Sequence, residues 1–125
     1  MMGGMEVLGS RILLRPTQLP RSLRFYRDTL GLAIYREFGG DDTSGIVFFL
    51  GNGLLEISGR AKYLAGDASA LSMLLRSTRV EHRRLLDARV PFRAEPRREA
   101  SGIGEDCVWD PAAAPVVRGR LRAAR

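Results

Sequence analysis

The sequence has one cysteine, Cys107, and one histidine, His82. A single cysteine excludes an internal disulfide framework and a cysteine-rich zinc site. A single histidine excludes any site that needs two imidazoles from one chain. No apolar run approaches the roughly 18–20 residues of a membrane span, so no membrane partner is expected. The opening MMGGMEVLGSR has neither a basic n-region nor an apolar h-region. No secretory signal is therefore expected, and a cytoplasmic protein is. There is no RNA- or DNA-binding motif, and the basic residues are not interleaved with aromatics, so no nucleic-acid partner is expected.

What remains is an ordinary globular composition. Of 125 residues, 45% are apolar and 27% charged, enough for one domain or two small halves around one core. The net charge of +6 comes from 20 basic and 14 acidic residues. Residues 1–59 hold six Arg against six acids. The whole excess therefore lies in residues 60–125. All basic residues but Lys62 are Arg. Two readings stand: anion recognition by guanidinium forks, or the codon bias of a GC-rich genome.

Residues 6–15, EVLGSRILLR, predict a first strand. Gln18-Leu19-Pro20 opens a helix, with Pro where a missing N–H costs nothing. Leu23, Tyr26 and Leu30, with Phe25 beside them, form its buried stripe. Gly31 is its left-handed stop. Strands follow at residues 32–38, 45–50 and 54–58, the last two joined by the hairpin turn Gly51-Asn52-Gly53. Residues 59–69 read as a linker. The order then repeats. Residues 70–75 are strand-like, and Thr78-x-x-Glu81 reads as a capping box opening a helix with His82, Leu85 and Leu86 on one face. Residues 90–92 resume extended chain, and residues 105–109 and 115–117 are candidate closing strands. Leu30-Gly31 aligns with Ala88-Arg89, an offset of 58. The pattern predicts an α+β fold: two βαβββ modules, about 6–59 and 68–121, whose two curved four-stranded sheets face a shared cleft in a single domain 1–125.

The stretch LPRSLRFYRDTLGL over residues 19–32 resembles the first helix of the vicinal oxygen chelate superfamily. That superfamily holds glyoxalase I, bleomycin-resistance proteins and extradiol dioxygenases. Gly51-Asn52-Gly53-Leu54-Leu55-Glu56-Ile57 is similar to its fourth strand, and Asp110-Pro111 stands where the family continues Asp-Gly-Asn. The resemblance implies the paired-module fold, and a homodimer. Catalytic members bind a divalent metal through four strand positions. Carried over, these fall on Arg11, Glu56, near Ala70, and on Val117. Only Glu56 has a metal donor: Arg is a cation, and Ala and Val have no donor atom. No cofactor is therefore expected, and a metal enters only if the ligand register is shifted.

Arg11 and Glu56, if both face the cleft, are expected to form an ion pair there, either as glue or as a ligand-binding Arg held in place by Glu56. Strand alternation adds Leu13 and Arg15 to Arg11's face, and Leu54 and Ser58 to that of Glu56. Trp109 is a candidate aromatic wall. These seven residues form the candidate binding set, with no catalytic residue assigned. His82 is read as a packing or surface residue, Cys107 as a small buried apolar residue, and Arg76, Arg79, Arg83 and Arg84 as a solvated basic face or an acidic-partner surface.

The second half departs from the family. Arg89 replaces the helix-terminating Gly, at a cost of about 1 kcal/mol if left-handed. Asp110-Pro111-Ala112-Ala113 replaces the usual turn, and the Arg-rich segment after it reads as a shifted reading frame or degenerated C-terminus, or as a real basic edge strand or tail. The leading functional reading is a metal-free protein of the bleomycin-resistance type, binding a small organic ligand, anionic or aromatic. The alternatives are a metal-dependent lyase, isomerase or dioxygenase, and an inactive paralogue whose basic half binds an acidic partner.

Overall fold

The computed structural model describes residues 3–39, 44–62, 70–92, 95–98, 105–109 and 118–123. The first module runs β1 (Arg11–Leu14), α1 (Leu19–Arg24) with a π-helical turn (Phe25–Thr29), β2 (Ile34–Phe38), β3 (Gly45–Leu50) and β4 (Gly53–Ser58). The second runs β5 (Ala70–Leu75), α2 (Thr78–Asp87), β6 (Arg97–Arg98), β7 (Glu105–Trp109) and β8 (Arg118–Ala123). The sheets have the same plan, β1-β4-β3-β2 and β5-β8-β7-β6. Each joins a parallel outer pair, β1 with β4 and β5 with β8, to antiparallel neighbours. The repeated βαβββ order read from the sequence is therefore the architecture. No helix among the described residues is long and apolar enough to cross a membrane.

Alternation in each sheet decides which face meets the helix. Ile46, Phe48, Leu55 and Ile57 are buried in one cluster with Phe25 and Tyr26. Leu71, Met73, Leu85 and Val90 of the second module belong to the same cluster, so both modules share one core. Tyr26 packs edge-on against Phe25, ring centroids 5.2 Å apart, and tilted against Phe48 at 6.4 Å.

The π turn was not legible as such. Leu30 N–H donates to the Phe25 carbonyl at 2.8 Å, a five-residue step that widens the helix. The widening lets neighbours Phe25 and Tyr26 both bury. Gly31 then adopts φ +71°, the expected left-handed stop.

The second module required more correction. The cap of α2 is Ser77, whose Oγ accepts from Val80 N–H at 3.2 Å, one residue before the expected Thr78. Thr78 is instead a buried first-turn residue. Leu85 is buried as expected, and His82, read as packing or surface, is buried too, but Leu86 is 40% exposed. His82 packs against Phe92, 4.5 Å between centroids. Arg89 has φ +63°, so it occupies the left-handed position that Gly31 holds in the first module. The described closing strand is Arg118–Ala123, later in the chain than residues 115–117. It bonds to β5 on one side and β7 on the other, so this basic strand is internal to its sheet, not an edge. Asp110, Pro111, Ala112, Ala113 and Val117 lie outside the described residues.

Arg84 departs from the solvated face assigned to its run. Its Nη1 and Nη2 donate to the carbonyls of Thr29 and Leu30 at 2.9 and 3.1 Å, and its Nε to Glu81 at 2.7 Å. One guanidinium thus ties α2 to the last turn of the first module's helix.

Candidate functional site

The face of the first sheet opposite α1 carries the predicted polar pair. Leu55 and Ile57 of β4 enter the core, so Leu54, Glu56 and Ser58 point to the other side. The parallel register sets Arg11 beside Leu54 and Leu13 beside Glu56. The hairpin register adds Phe49 opposite Leu54 and Val47 opposite Glu56.

Glu56 holds this face together. One carboxylate oxygen accepts from Arg11 Nη1 at 2.8 Å, and the other accepts from Ser58 Oγ at 2.7 Å. The Ser58 hydrogen bond, with Arg11's hydrogen bond and positive charge and Arg15's charge behind it, holds the Glu56 carboxyl below its ordinary value, against the opposing effect of burial. The Glu56 side chain is 15% exposed and that of Arg11 41%. The pair is therefore hydrated on the Arg11 side, well short of a fully buried ion pair. Arg11 donates a hydrogen bond to Glu56, and its side chain stays partly open to solvent.

Five of the seven predicted residues, Arg11, Leu13, Leu54, Glu56 and Ser58, share this face. Arg15 does not continue the strand. β1 ends at Leu14, and the Arg15 guanidinium lies against the backbone of Gly59 beyond the end of β4. Trp109 stands on β7 opposite Gly119 in the second sheet, and its side chain lies outside the described residues, as does that of Cys107.

Four residues of this face, Val47, Phe49, Tyr35 and Gly45, were missed. Phe49 is 48% exposed, and its ring meets that of Tyr35, 52% exposed, edge-on at 5.3 Å. Counting alternation back across the hairpin from Glu56 finds Val47 and Phe49. Tyr35 was hidden by the register shift between Ile34 and Arg36 on β2. Gly45 faces Ser58 across β3 and β4. A Cβ there would lie 2.5 Å from the Ser58 Cβ and 2.6 Å from the Ile57 carbonyl oxygen. Glycine is what allows Ser58 to sit close enough to bond Glu56.

The family's metal does not fit these residues. β1 offers Arg11, β4 offers Glu56, and β5 begins at Ala70. The fourth position, placed on Val117 from sequence, lies outside the described residues; the strand described after it, Arg118–Ala123, runs Arg-Gly-Arg-Leu-Arg-Ala, none of which is a metal donor at neutral pH. Among the described residues no three His, Cys, Asp or Glu side chains converge.

No family model and no curated protein matches the sequence. Solved structures do match. TnmS3, an antibiotic binding protein from Streptomyces sp. CB03234, superposes with a TM-score of 0.77 at 10% identity, over 98% of this chain and 100% of that one. A member of the glyoxalase/bleomycin resistance protein/dioxygenase superfamily from Sphaerobacter thermophilus DSM 20745 gives 0.71 at 13% identity, over 94% and 98%. The fosfomycin resistance protein FosX from Listeria monocytogenes gives 0.70 at 14% identity, over 100% and 96%. With its two βαβββ modules in the same sheet order, the chain has the fold of the vicinal oxygen chelate, or glyoxalase/bleomycin resistance/dioxygenase, superfamily.

Proposed function

We propose that the chain is a binding protein that takes a small organic ligand on the helix-free face of the first sheet, without a metal. The observation that carries this reading is the state of Arg11. Glu56 fixes the guanidinium through one N–H, while the Arg11 side chain stays 41% exposed on a face that also carries half-exposed Leu13 and, beyond Leu54, the Phe49–Tyr35 pair. A fixed cation beside apolar and aromatic surface suits a ligand with an aromatic body and an anionic or acceptor edge. Ser58 completes the set by occupying the second Glu56 oxygen, so the carboxylate repels such an edge less than a bare one would. The fold likeness to TnmS3, described as an antibiotic binding protein, is consistent with sequestration of a natural product.

We infer further that the protein works as a homodimer. Edge strand β1 leaves Ile12 and Leu13 48% and 46% exposed on its two faces, surface that a second copy would cover.

The test is a thermal-shift screen of aromatic and anionic natural products, followed by titration of any hit against Arg11→Ala. The reading expects a hit whose affinity falls about tenfold or more in the variant, the scale of one charge-assisted hydrogen bond. Unchanged affinity in a folded variant would remove Arg11 from the site.

A further inference from the structure

Four residues of the helix-free face stand in one row that crosses the first sheet from edge to edge. Arg11 of β1 registers with Leu54 of β4, and Leu54 registers with Phe49 of β3. Residues paired in register share a face, so these three are neighbours on the same side. The Tyr35 ring carries the row onto β2, meeting the Phe49 ring edge-on at 5.3 Å.

A bulge puts Tyr35 there. Ile34 pairs with Phe48, whose side chain enters the core, whereas Arg36 pairs with Val47 on the opposite face. Tyr35 is the extra residue between them, and a bulge re-aims the side chain it carries. Simple alternation along β2 would have set Tyr35 on one face and both its neighbours on the other.

The row is charged at one end and aromatic at the other. Arg11 reaches inward to Glu56 at 2.8 Å, which holds the guanidinium beside β4. Partly buried Leu54 is the apolar floor next to it. Phe49 and Tyr35 are both about half exposed, so each still has ring surface to offer. From β4 to β2 is two strand spacings, about 10 Å. One aromatic ring does not cover that distance, and about three fused rings do.

On the reading that Arg11 anchors the ligand, we propose that this row sets the ligand's length. The site takes a rigid, flat acid of about three fused aromatic rings, its anionic group on Arg11, its body over Leu54 and its far ring on the Phe49–Tyr35 pair. A further ring meeting an edge-to-face pair gains aromatic contact in addition to apolar burial. Rigidity matters because a stiff body engages both ends with little loss of internal freedom.

Two acids of different length test the assignment: 2-naphthoate and anthracene-2-carboxylate, titrated by their fluorescence. Arg11→Ala should weaken both about tenfold, the scale of one charge-assisted hydrogen bond. Tyr35→Ala and Phe49→Leu should each weaken the three-ring acid about three- to tenfold, the scale of an aromatic pair, and change the two-ring acid by less than about twofold. All three side chains are at least about two-fifths exposed, and circular dichroism checks that each variant folds. Equal losses for the two acids at Tyr35 and Phe49, or none for the longer one, overturn the length assignment while the Arg11 anchor stands. Affinity for both acids unchanged in Arg11→Ala overturns anchor and length together. Absence of saturable binding by either acid overturns the length assignment alone, since the anchor has its own screen.

Discussion

Ser58 reaches Glu56 because the residue across the hairpin from it, Gly45, has no Cβ. The two positions pair in register, and any side chain at Gly45 would meet Ser58 and the Ile57 carbonyl inside 3 Å. Gly45→Ala is therefore expected to destabilise the fold by about 1–3 kcal/mol, the range of overpacking, because backbone and not a flexible side-chain tip must give way. It should also push Ser58 off Glu56. Urea denaturation reads the first effect. The Glu56 carboxyl titration, followed by NMR, reads the second as a rise in pKa.

The same carboxylate sets an acid limb. Its folded pKa lies below the ordinary value, first through Ser58 and then through Arg11. The stabilisation is fully present above the unfolded carboxyl pKa, and it is lost as pH falls through the lower, folded value. Glu56→Gln should flatten the decline in stability below about pH 4.5, near the reference carboxyl pKa, while leaving residual acid sensitivity from other carboxylates. A pH series of urea midpoints for both proteins checks this. A wild-type acid limb that persists unchanged in the variant would remove Glu56 as its source.

Arg11 is more exposed than the 3–5 kcal/mol cost of breaking a fully buried pair would require. Arg11→Ala should cost only about 1 kcal/mol or less in stability. That small loss makes the variant usable in binding experiments.

Arg84 joins the modules through two backbone carbonyls at the end of the first helix, where orphan acceptors favour a cation. Arg84→Met keeps much of the stem and removes the fork. It should lower stability by about 1–2 kcal/mol, the sum of two modest hydrogen bonds. Hydrogen exchange should show faster opening of both α2 and the Phe25–Thr29 turn. Loss confined to α2 would deny the coupling.

Arg89 carries a side chain at φ +63°. Arg89→Gly should raise stability by up to about 1 kcal/mol, since relief of left-handed strain outweighs the entropy glycine adds to the unfolded chain. Thermal denaturation decides the sign.

Much of the fold was legible because it rests on local rules. Gly31 stops the helix where a left-handed residue was read, and the Gly51-Asn52-Gly53 turn closes the hairpin with Gly51 at φ +58°. The Arg11–Glu56 contact was legible once β1 and β4 were set side by side. The failures have physical causes. Ser77 and Thr78 both carry capping hydroxyls, and only backbone geometry selects Ser77. The π turn depends on how Phe25 and Tyr26 share the core, and i, i+3, i+7 spacing says nothing about that. Arg15 follows strand parity in sequence, yet the chain leaves the sheet after Leu14, so parity no longer governs it. Arg118, Arg120 and Arg122 read as an edge because charge belongs at edges, but register puts their strand between two others.

The central claim is that the first sheet recognises its ligand through Arg11 instead of a metal. Elemental mass spectrometry tests it most directly, on protein purified without chelators and then supplied with Mn, Fe, Co, Ni or Zn before desalting. The account predicts far less than one metal per chain under every condition. Near-stoichiometric retention of any of the five, lost in Glu56→Gln, would contradict it and restore the metal-dependent enzyme reading.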